Sequence, residues 1–245
     1  MDVTNRFVLD FARRFAAGRP GAKILDFGCG AGKVVEAGLA AGLDFSGADV
    51  FYGGAEARAE AVCPAVRAIQ NGRIPFPDAT FDLVVNNQVM EHVEDLDGTL
   101  AELDRVLEPE GAMLSIFPAR DVFREGHIGI PFSHRLPKGA VRFYYTWALR
   151  RLGLGTWKQQ ATDCRTWAID KLRWIDTWTH YRSRAEIFRA FGEYFVSELR
   201  EPEYIRYRLP RRFAWVMSVP LAPAVGSAVF RKLAFLVIFS RKVAR

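Results

Sequence analysis

Cysteine is scarce: Cys29, Cys63 and Cys164 are the only three in a chain of 245 residues, and they lie far apart. They can build neither a disulfide framework nor a Cys-x-x-Cys metal knuckle, so a reducing, cytoplasmic compartment is expected. Long apolar runs are also lacking. Phe213–Phe230 is uncharged over 18 residues, but Pro220 and Pro223 break it, and it is marginal as a spanning helix. The N-terminal MDVTNRFVLDFARRF mixes acids and arginines with apolar residues and lacks the apolar core and cleavage site of a signal peptide. No internal repeat or low-complexity tract is visible. With 50% hydrophobic and 25% charged residues, wholesale disorder is excluded. The length suits one α/β domain with an elaboration.

What is present is unevenly spread. Residues 1–118 carry 10 basic and 18 acidic side chains, whereas residues 119–245 carry 24 and 10. All six tryptophans (Trp147, Trp157, Trp167, Trp174, Trp178, Trp215) lie in the second part. An acidic front is thus joined to a basic, aromatic back. Such a back suits either an anionic or amphipathic partner or a solvated basic surface over an aromatic core.

The front alternates between two periods. Val3, Phe7, Val8, Phe11 and Phe15 recur at helical spacing over 3–16. Lys23–Phe27 reads as a buried strand running into the tight turn Gly28-Cys29-Gly30-Ala31-Gly32. Residues 33–41 return to helical spacing, Phe45–Val50 is a second strand with Asp49 near its end, and 54–67 is alanine-rich and helical. Ala68–Gln70 and Phe81–Asn86 are the third and fourth strands. Leu96–Leu107 is a helix stopped by Pro109 and Gly111, and Ala112–Phe117 is the fifth strand. The rhythm breaks after Pro118 and resumes near Ser183, with a helix over Ala185–Phe191 started by Ser183 or Arg184. Strands over Tyr194–Leu199 and Leu233–Ser240 follow. This alternation predicts an α/β protein with a doubly wound, mostly parallel sheet and helices on both faces. Ligands of such sheets sit at the carboxyl ends of the strands, where the strand order reverses, and the glycine turn lies at such an end. The expected organisation is a core over 1–118, an insertion over 119–182 that covers the substrate, and completion of the sheet over 183–245.

Three phosphate- or nucleoside-binding patterns compete for the glycine turn. A P-loop needs GxxxxGK[ST], but Gly32-Lys33 is followed by Val34 and no glycine stands five before Gly32. A dinucleotide fingerprint needs a third glycine where Lys33 or Val35 stands. The third pattern fits: an acid two positions before GxGxG, as Asp26 stands before Gly28, Gly30 and Gly32. Here the chain resembles the class I S-adenosylmethionine methyltransferases, in their small-molecule branch. Asp49, 17 residues after Gly32, stands where their ribose-binding carboxylate does, although a turn acid is the ordinary alternative. Asn71-Gly72-Arg73-Ile74-Pro75-Phe76-Pro77-Asp78-Ala79-Thr80-Phe81-Asp82 resembles the segment that reaches the adenine, with Asn71 in place of an aspartate. Asn86-Asn87-Gln88-Val89-Met90-Glu91-His92-Val93 and Leu107-Glu108-Pro109-Glu110-Gly111 resemble the family's segments after strand four and before strand five. The resemblance covers 22–118 and implies seven strands in the order 3-2-1-4-5-7-6, the last one antiparallel. It implies S-adenosylmethionine as cofactor, held through Asp26, Phe27, Gly28, Cys29, Gly30, Gly32, Asp49, Val50, Asn71, Gly72, Arg73, Asn87 and Gln88.

The acceptor is harder to read. Relatives that methylate nucleic-acid amino groups carry Asn/Asp-Pro-Pro-aromatic where Asn86-Asn87-Gln88-Val89 stands, and the Pro-Cys of cytosine-C5 enzymes is absent. Nucleic acid is therefore disfavoured, and no paired glutamates for a guanidinium are seen. His92, after strand four, is the leading base candidate for a hydroxyl acceptor, with a structural histidine as the alternative. His127 and His134 bracket a turn-rich stretch that can cover the acceptor; His180 has a weaker case. No metal is expected from the ligand spacing, unless the fold gathers Glu91, His92, His127 and His134.

Arginines interleave with aromatics through the back, as in Arg206-Tyr207-Arg208 and Arg211-Arg212-Phe213. Membrane-surface contact through 206–232 is one reading, and a buried helix leading into the last strand is the other. The function expected is methyl transfer to a small-molecule, saccharide or lipid-linked acceptor, at oxygen. The alternatives are a non-catalytic S-adenosylmethionine-binding scaffold and an RNA methyltransferase.

Overall fold

The computed structural model describes residues 1–50 and 63–243. Its centre is a seven-stranded sheet in the order β3-β2-β1-β4-β5-β7-β6. The strands are β1 (Lys23–Phe27), β2 (Asp44–Asp49), β3 (Val66–Ala68), β4 (Phe81–Asn87), β5 (Leu107–Phe117), β6 (Phe195–Leu199) and β7 (Leu236–Lys242). All pairings are parallel except those of β7, which runs antiparallel to both β5 and β6. The expected strand order is borne out.

Both faces of the sheet are buried, so neighbouring residues along a strand belong to opposite layers. Leu25, Val84, Met113 and Ile238 pack on one side with α3 (Leu96–Val106) and α6 (Arg184–Gly192). Ile24, Leu83, Leu114 and Val237 pack on the other with α1 (Val3–Ala17), α2 (Lys33–Ala40) and α7 (Glu201–Arg208). Helix starts are set by side chains that accept otherwise unpaired N–H groups. Asp2 caps α1 through Asn5 N–H, and Asp95 caps α3 through Gly98 N–H. Ser183 and Glu186 form a reciprocal capping box at α6.

Residues 119–182 stand apart from this rhythm. They contain α4 (Ala140–Arg151) and α5 (Cys164–Trp178), packed around a small core of Ile128, Ile130, Trp167, Ala168 and Ile175. The indole N–H of the fully buried Trp167 donates to the Thr156 carbonyl at 3.0 Å. Of the aromatic residues of the back, Trp167 sits in this core, with Phe143, Tyr145 and Trp147 packed against it. The C-terminal part returns through α7, a 3-10 segment over Arg211–Ser218 and α8 (Ala222–Leu233). Tyr204 anchors it, with its ring 5.0 Å from that of Phe7 and its hydroxyl 2.8 Å from Thr4 Oγ1. The buried Glu201 carboxylate pairs with Arg231 at 3.2 Å.

Several boundaries differ from the sequence expectation. The helix expected over 54–67 lies outside the described residues through 62, and its last two positions belong to β3. That strand starts at Val66, opposite Gly47, rather than at Ala68. The helix before Pro109 and Gly111 ends at Val106, one residue earlier than expected, and the strand follows it at once. Pro109 and Gly111 lie within β5, whose pairing with β4 is irregular before Leu83 meets Ala112. Leu233 ends α8, and the last strand begins three residues later, at Leu236. Apolar runs such as Leu233–Ser240 satisfy a helix end and a buried strand equally, so pattern alone misplaces the junction.

Candidate active site

The strand order reverses between β1 and β4, and the loops that leave their carboxyl ends bound a cleft of about 340 Å³. Gly28 makes this geometry possible. Its φ is +74°, its N–H donates to the Ala48 carbonyl at 2.7 Å, and a Cβ there would stand 2.4 Å from Val89 Cγ2. The loop then returns to Asp49, whose Oδ2 accepts the Gly30 N–H at 2.8 Å. Asp26 lies buried beneath. Burial, reinforced by the charge of Asp49, pushes its carboxyl up to about 8. Burial and the same two acids push the Cys29 thiol up as well, so it is not a thiolate nucleophile.

The opposite wall is the turn after β4. Gln88 sits at φ +58° with its N–H donating to the Ile116 carbonyl at 2.7 Å, and His92 N–H closes the turn onto the Val89 carbonyl at 2.8 Å. The chain leaving the insertion is laced onto this turn. His92 Nδ1 donates to the Trp178 carbonyl at 2.6 Å, and His180 N–H donates to the Glu91 carbonyl at 2.7 Å. The Arg182 guanidinium donates to the carbonyls of Val93 and Glu94 at 2.8 and 2.6 Å. A carbonyl only accepts, so Nδ1 of His92 carries the proton and Nε2 keeps the lone pair. Burial holds the His92 pKa below its ordinary value, with the neighbouring His127 and His180 lowering it further, against the pull of the Trp178 carbonyl. His92 is neutral at pH 7.

Behind His92 stands a buried polar chain. The rings of His92 and His127 have centroids 5.0 Å apart, and His127 Nδ1 donates to Glu125 Oε1 at 2.8 Å. The Tyr181 hydroxyl donates to the same carboxylate oxygen at 2.6 Å, and Ile128 N–H donates to the other at 2.5 Å. Burial works against a charge on Glu125, yet these three donors hold its pKa below the usual value. Tyr181 is pushed up, first by burial and then by Glu125. Glu91 lies beside His92 with its carboxyl pushed up to about 8, chiefly by burial.

The expected site residues divide. Phe27, Gly28, Asp49, Val50, Gly72 and Gln88 line the cleft, as do His92 and His180. Asp26, Cys29, Gly30 and Gly32 belong to the strand end and turn beneath. Asn71 and Arg73 lie on an outward turn that lines a separate groove with Gln70 and Pro75. Asn87 faces α1, donating from Nδ2 to Asn5 Oδ1 at 2.9 Å. His134 is not brought to His92; its Nε2 donates to the Arg120 carbonyl at 2.9 Å, beside a groove shared with Lys138 and Arg142. Trp178, Glu125 and Tyr181 join the site without any motif that marks them in the sequence. Glu125, two residues before His127, was a local signal. Trp178 acts through its carbonyl, which no side-chain pattern reveals.

Residues 25–115 match the family model described as a methyltransferase domain. A ubiquinone biosynthesis O-methyltransferase of Agrobacterium fabrum is 29% identical, aligned over 50% of this chain and 57% of its own length. A probable S-adenosylmethionine-dependent methyltransferase of Mycolicibacterium smegmatis is 35% identical, over 46% of this chain and 45% of its own. The chain thus spans about half the length of these curated relatives. A solved S-adenosylmethionine-dependent methyltransferase of Mesorhizobium loti shares the fold, with TM-score 0.52 and 19% identity over 95% of this chain and 99% of that one. Matched motifs, strand order and relatives agree on a methyltransferase domain of the class I S-adenosylmethionine-dependent kind, carried by residues 25–115.

Proposed function

We propose that this chain moves the methyl group of S-adenosylmethionine onto an oxygen of a small hydroxylated acceptor, saccharides and lipid-linked molecules included, seated beneath the 119–182 insertion. The observation that carries the reading is the placement of His92. A neutral imidazole, fixed through Nδ1, stands in the cleft that also holds Gly28 and Asp49. In the reaction the acceptor oxygen forms a bond to the methyl carbon as the S–C bond breaks, and sulfur keeps that electron pair. Alignment and exclusion of water are the protein's main contributions. The hydroxyl proton must leave, and an imidazole lone pair is suited to take it near neutral pH. In this reading Asp26 and the glycine turn hold the methionine end, Asp49 the ribose and Gly72 the adenine side. Glu125 and Tyr181 position His127.

Calorimetric titration with S-adenosylhomocysteine, with NAD as control, tests the cofactor half. Labelled S-adenosylmethionine offered with hydroxylated acceptors tests the other. Micromolar product binding with no transfer to any acceptor favours the scaffold reading.

A second reading concerns location. Between Phe213 and Leu233, Met217 and Phe230 pack inward, but Trp215 (64% exposed), Leu221 (77% exposed), Val225, Val229 and Leu233 face outward, with Arg211 and Arg212 at the start of the stretch. No single helix among the described residues is long and apolar enough to cross a membrane, and the pair 211–218 and 222–233 is bent by 110°. An apolar face rimmed by cations suits a peripheral position on an anionic bilayer surface. Cosedimentation with phosphatidylserine vesicles, and its loss in a Trp215→Ser/Leu221→Ser variant, is the expected outcome. Equal pelleting of the two proteins overturns it.

A further inference from the structure

The most unusual side chain near the cleft is Glu91. It is 1% exposed, and neither carboxylate oxygen has a hydrogen-bond partner among the described residues. A buried carboxyl without partners is costly unless something compensates it. The imidazoles of His92 and His127 stand close by. One ligand atom from each of Glu91, His92 and His127 lies within 4.8 Å of the other two.

The two histidines come from different parts of the chain, the turn after β4 and the start of the insertion. Both rings are already oriented. Nδ1 of His92 donates to the Trp178 carbonyl, and Nδ1 of His127 donates to the Glu125 carboxylate. Metal-binding histidines are held in this way, with one ring nitrogen tied to a carbonyl or carboxylate and the lone pair of the other left for the ion. Metal–ligand bonds of about 2.0–2.2 Å require the three donors to draw in by roughly 1 Å, within side-chain adjustment.

We infer that Glu91, His92 and His127 form a binding site for a divalent transition-metal ion, at the edge of the cleft where the insertion meets the β4 turn. Two imidazoles and one carboxylate suit zinc, iron(II) or a similar ion rather than magnesium or calcium, which prefer oxygen donors. Three protein ligands leave positions open for an acceptor hydroxyl. A cation there lowers the hydroxyl pKa and holds the oxygen as its proton leaves. A loaded site would commit the His92 lone pair to the ion; the cation would then activate the hydroxyl, whose proton would pass to solvent water. This role rests on the methyl-transfer reading; the site itself does not.

Cobalt(II) is the probe, titrated into the metal-free full-length protein and read by its visible absorption. Saturation at one ion per chain in the micromolar range, displaced by zinc, is expected. Glu91→Gln should weaken binding at least tenfold. It preserves shape and removes no hydrogen bond, because both oxygens lack partners. Glu125→Gln should weaken it about tenfold through the loosened His127 ring. His134→Ala should leave it unchanged. No absorption change at millimolar cobalt, or equal affinity in the wild type and Glu91→Gln, overturns the site. S-adenosylhomocysteine is titrated into the same samples. Its binding without cobalt binding ends the metal inference alone, and cobalt binding without it leaves the site standing while removing its role in methyl transfer.

Discussion

The two walls of the cleft are built in different ways. The β1–β2 wall is shaped by backbone: Gly28 at positive φ, its N–H on the Ala48 carbonyl, and Gly30 N–H on Asp49. The wall where the insertion meets the β4 turn is shaped by contacts between residues distant in sequence, such as His92 with Trp178 and Glu125 with Tyr181. A wall made by local backbone tolerates few residues at its turns. One made by long-range contacts can be rebuilt with different side chains. The first suits a constant ligand and the second a changing one.

The largest expected effect tests the second wall. His92→Ala should lower turnover by about 10²–10⁴-fold, the scale of a lost proton acceptor or metal ligand, while S-adenosylhomocysteine binding stays within a few-fold. Undiminished turnover removes His92 from the reaction. Gly28→Ala attacks the first wall. With positive φ and a Cβ 2.4 Å from Val89, it should destabilise the protein by about 2–4 kcal/mol, read by urea denaturation. A neutral result would mean that the turn relaxes freely. Asp49→Ala should weaken S-adenosylhomocysteine by about 1.5–3 kcal/mol in calorimetry, and unchanged affinity takes Asp49 out of ribose binding.

Asp26 sharpens the comparison through pH. Its carboxyl is raised from 3.8 to about 8 by burial and by Asp49, so between these values the folded state holds a proton that the unfolded state has released. This contribution to stability is complete below about pH 4 and is lost as pH rises through about 8. Asp26→Asn should therefore raise Tm at pH 9 by at least about 3 °C in the ligand-free protein, and have little effect at pH 4. Equal Tm gains at both pH values would show that ionisation of Asp26 is not the cause. The smallest effect is expected of His134→Ala, with turnover within about threefold of wild type. The residue was a sequence candidate, yet its ring is held by the Arg120 carbonyl in another groove.

These contrasts also mark what the sequence makes legible. The first wall reads directly, because Asp26, Gly28, Gly30, Gly32 and Asp49 are constrained by local geometry that forces residue type. The strand order is what the family resemblance carried by these motifs implies. Element ends read less well: Leu233 and Pro109 sit in patterns that two structures satisfy equally. The second wall is mostly hidden. Of His127 and His134, which bracket Gly129-Ile130-Pro131-Phe132, only contacts across the fold separate His127, beside His92, from His134, which is turned away. Asn71 and Arg73 follow the motif's order yet face outward, since a tight turn at Asn71-Gly72 directs them away from the cleft.

The bond from His92 to Trp178 has a consequence for how such a protein changes over generations. Its acceptor is a main-chain oxygen, which no substitution at position 178 can delete. Trp178 lines the cleft, so under the proposed function the side chain at this position can change in size and polarity while the imidazole keeps its orientation. Position 178 is thus a natural first choice for a library meant to alter acceptor preference without losing chemistry.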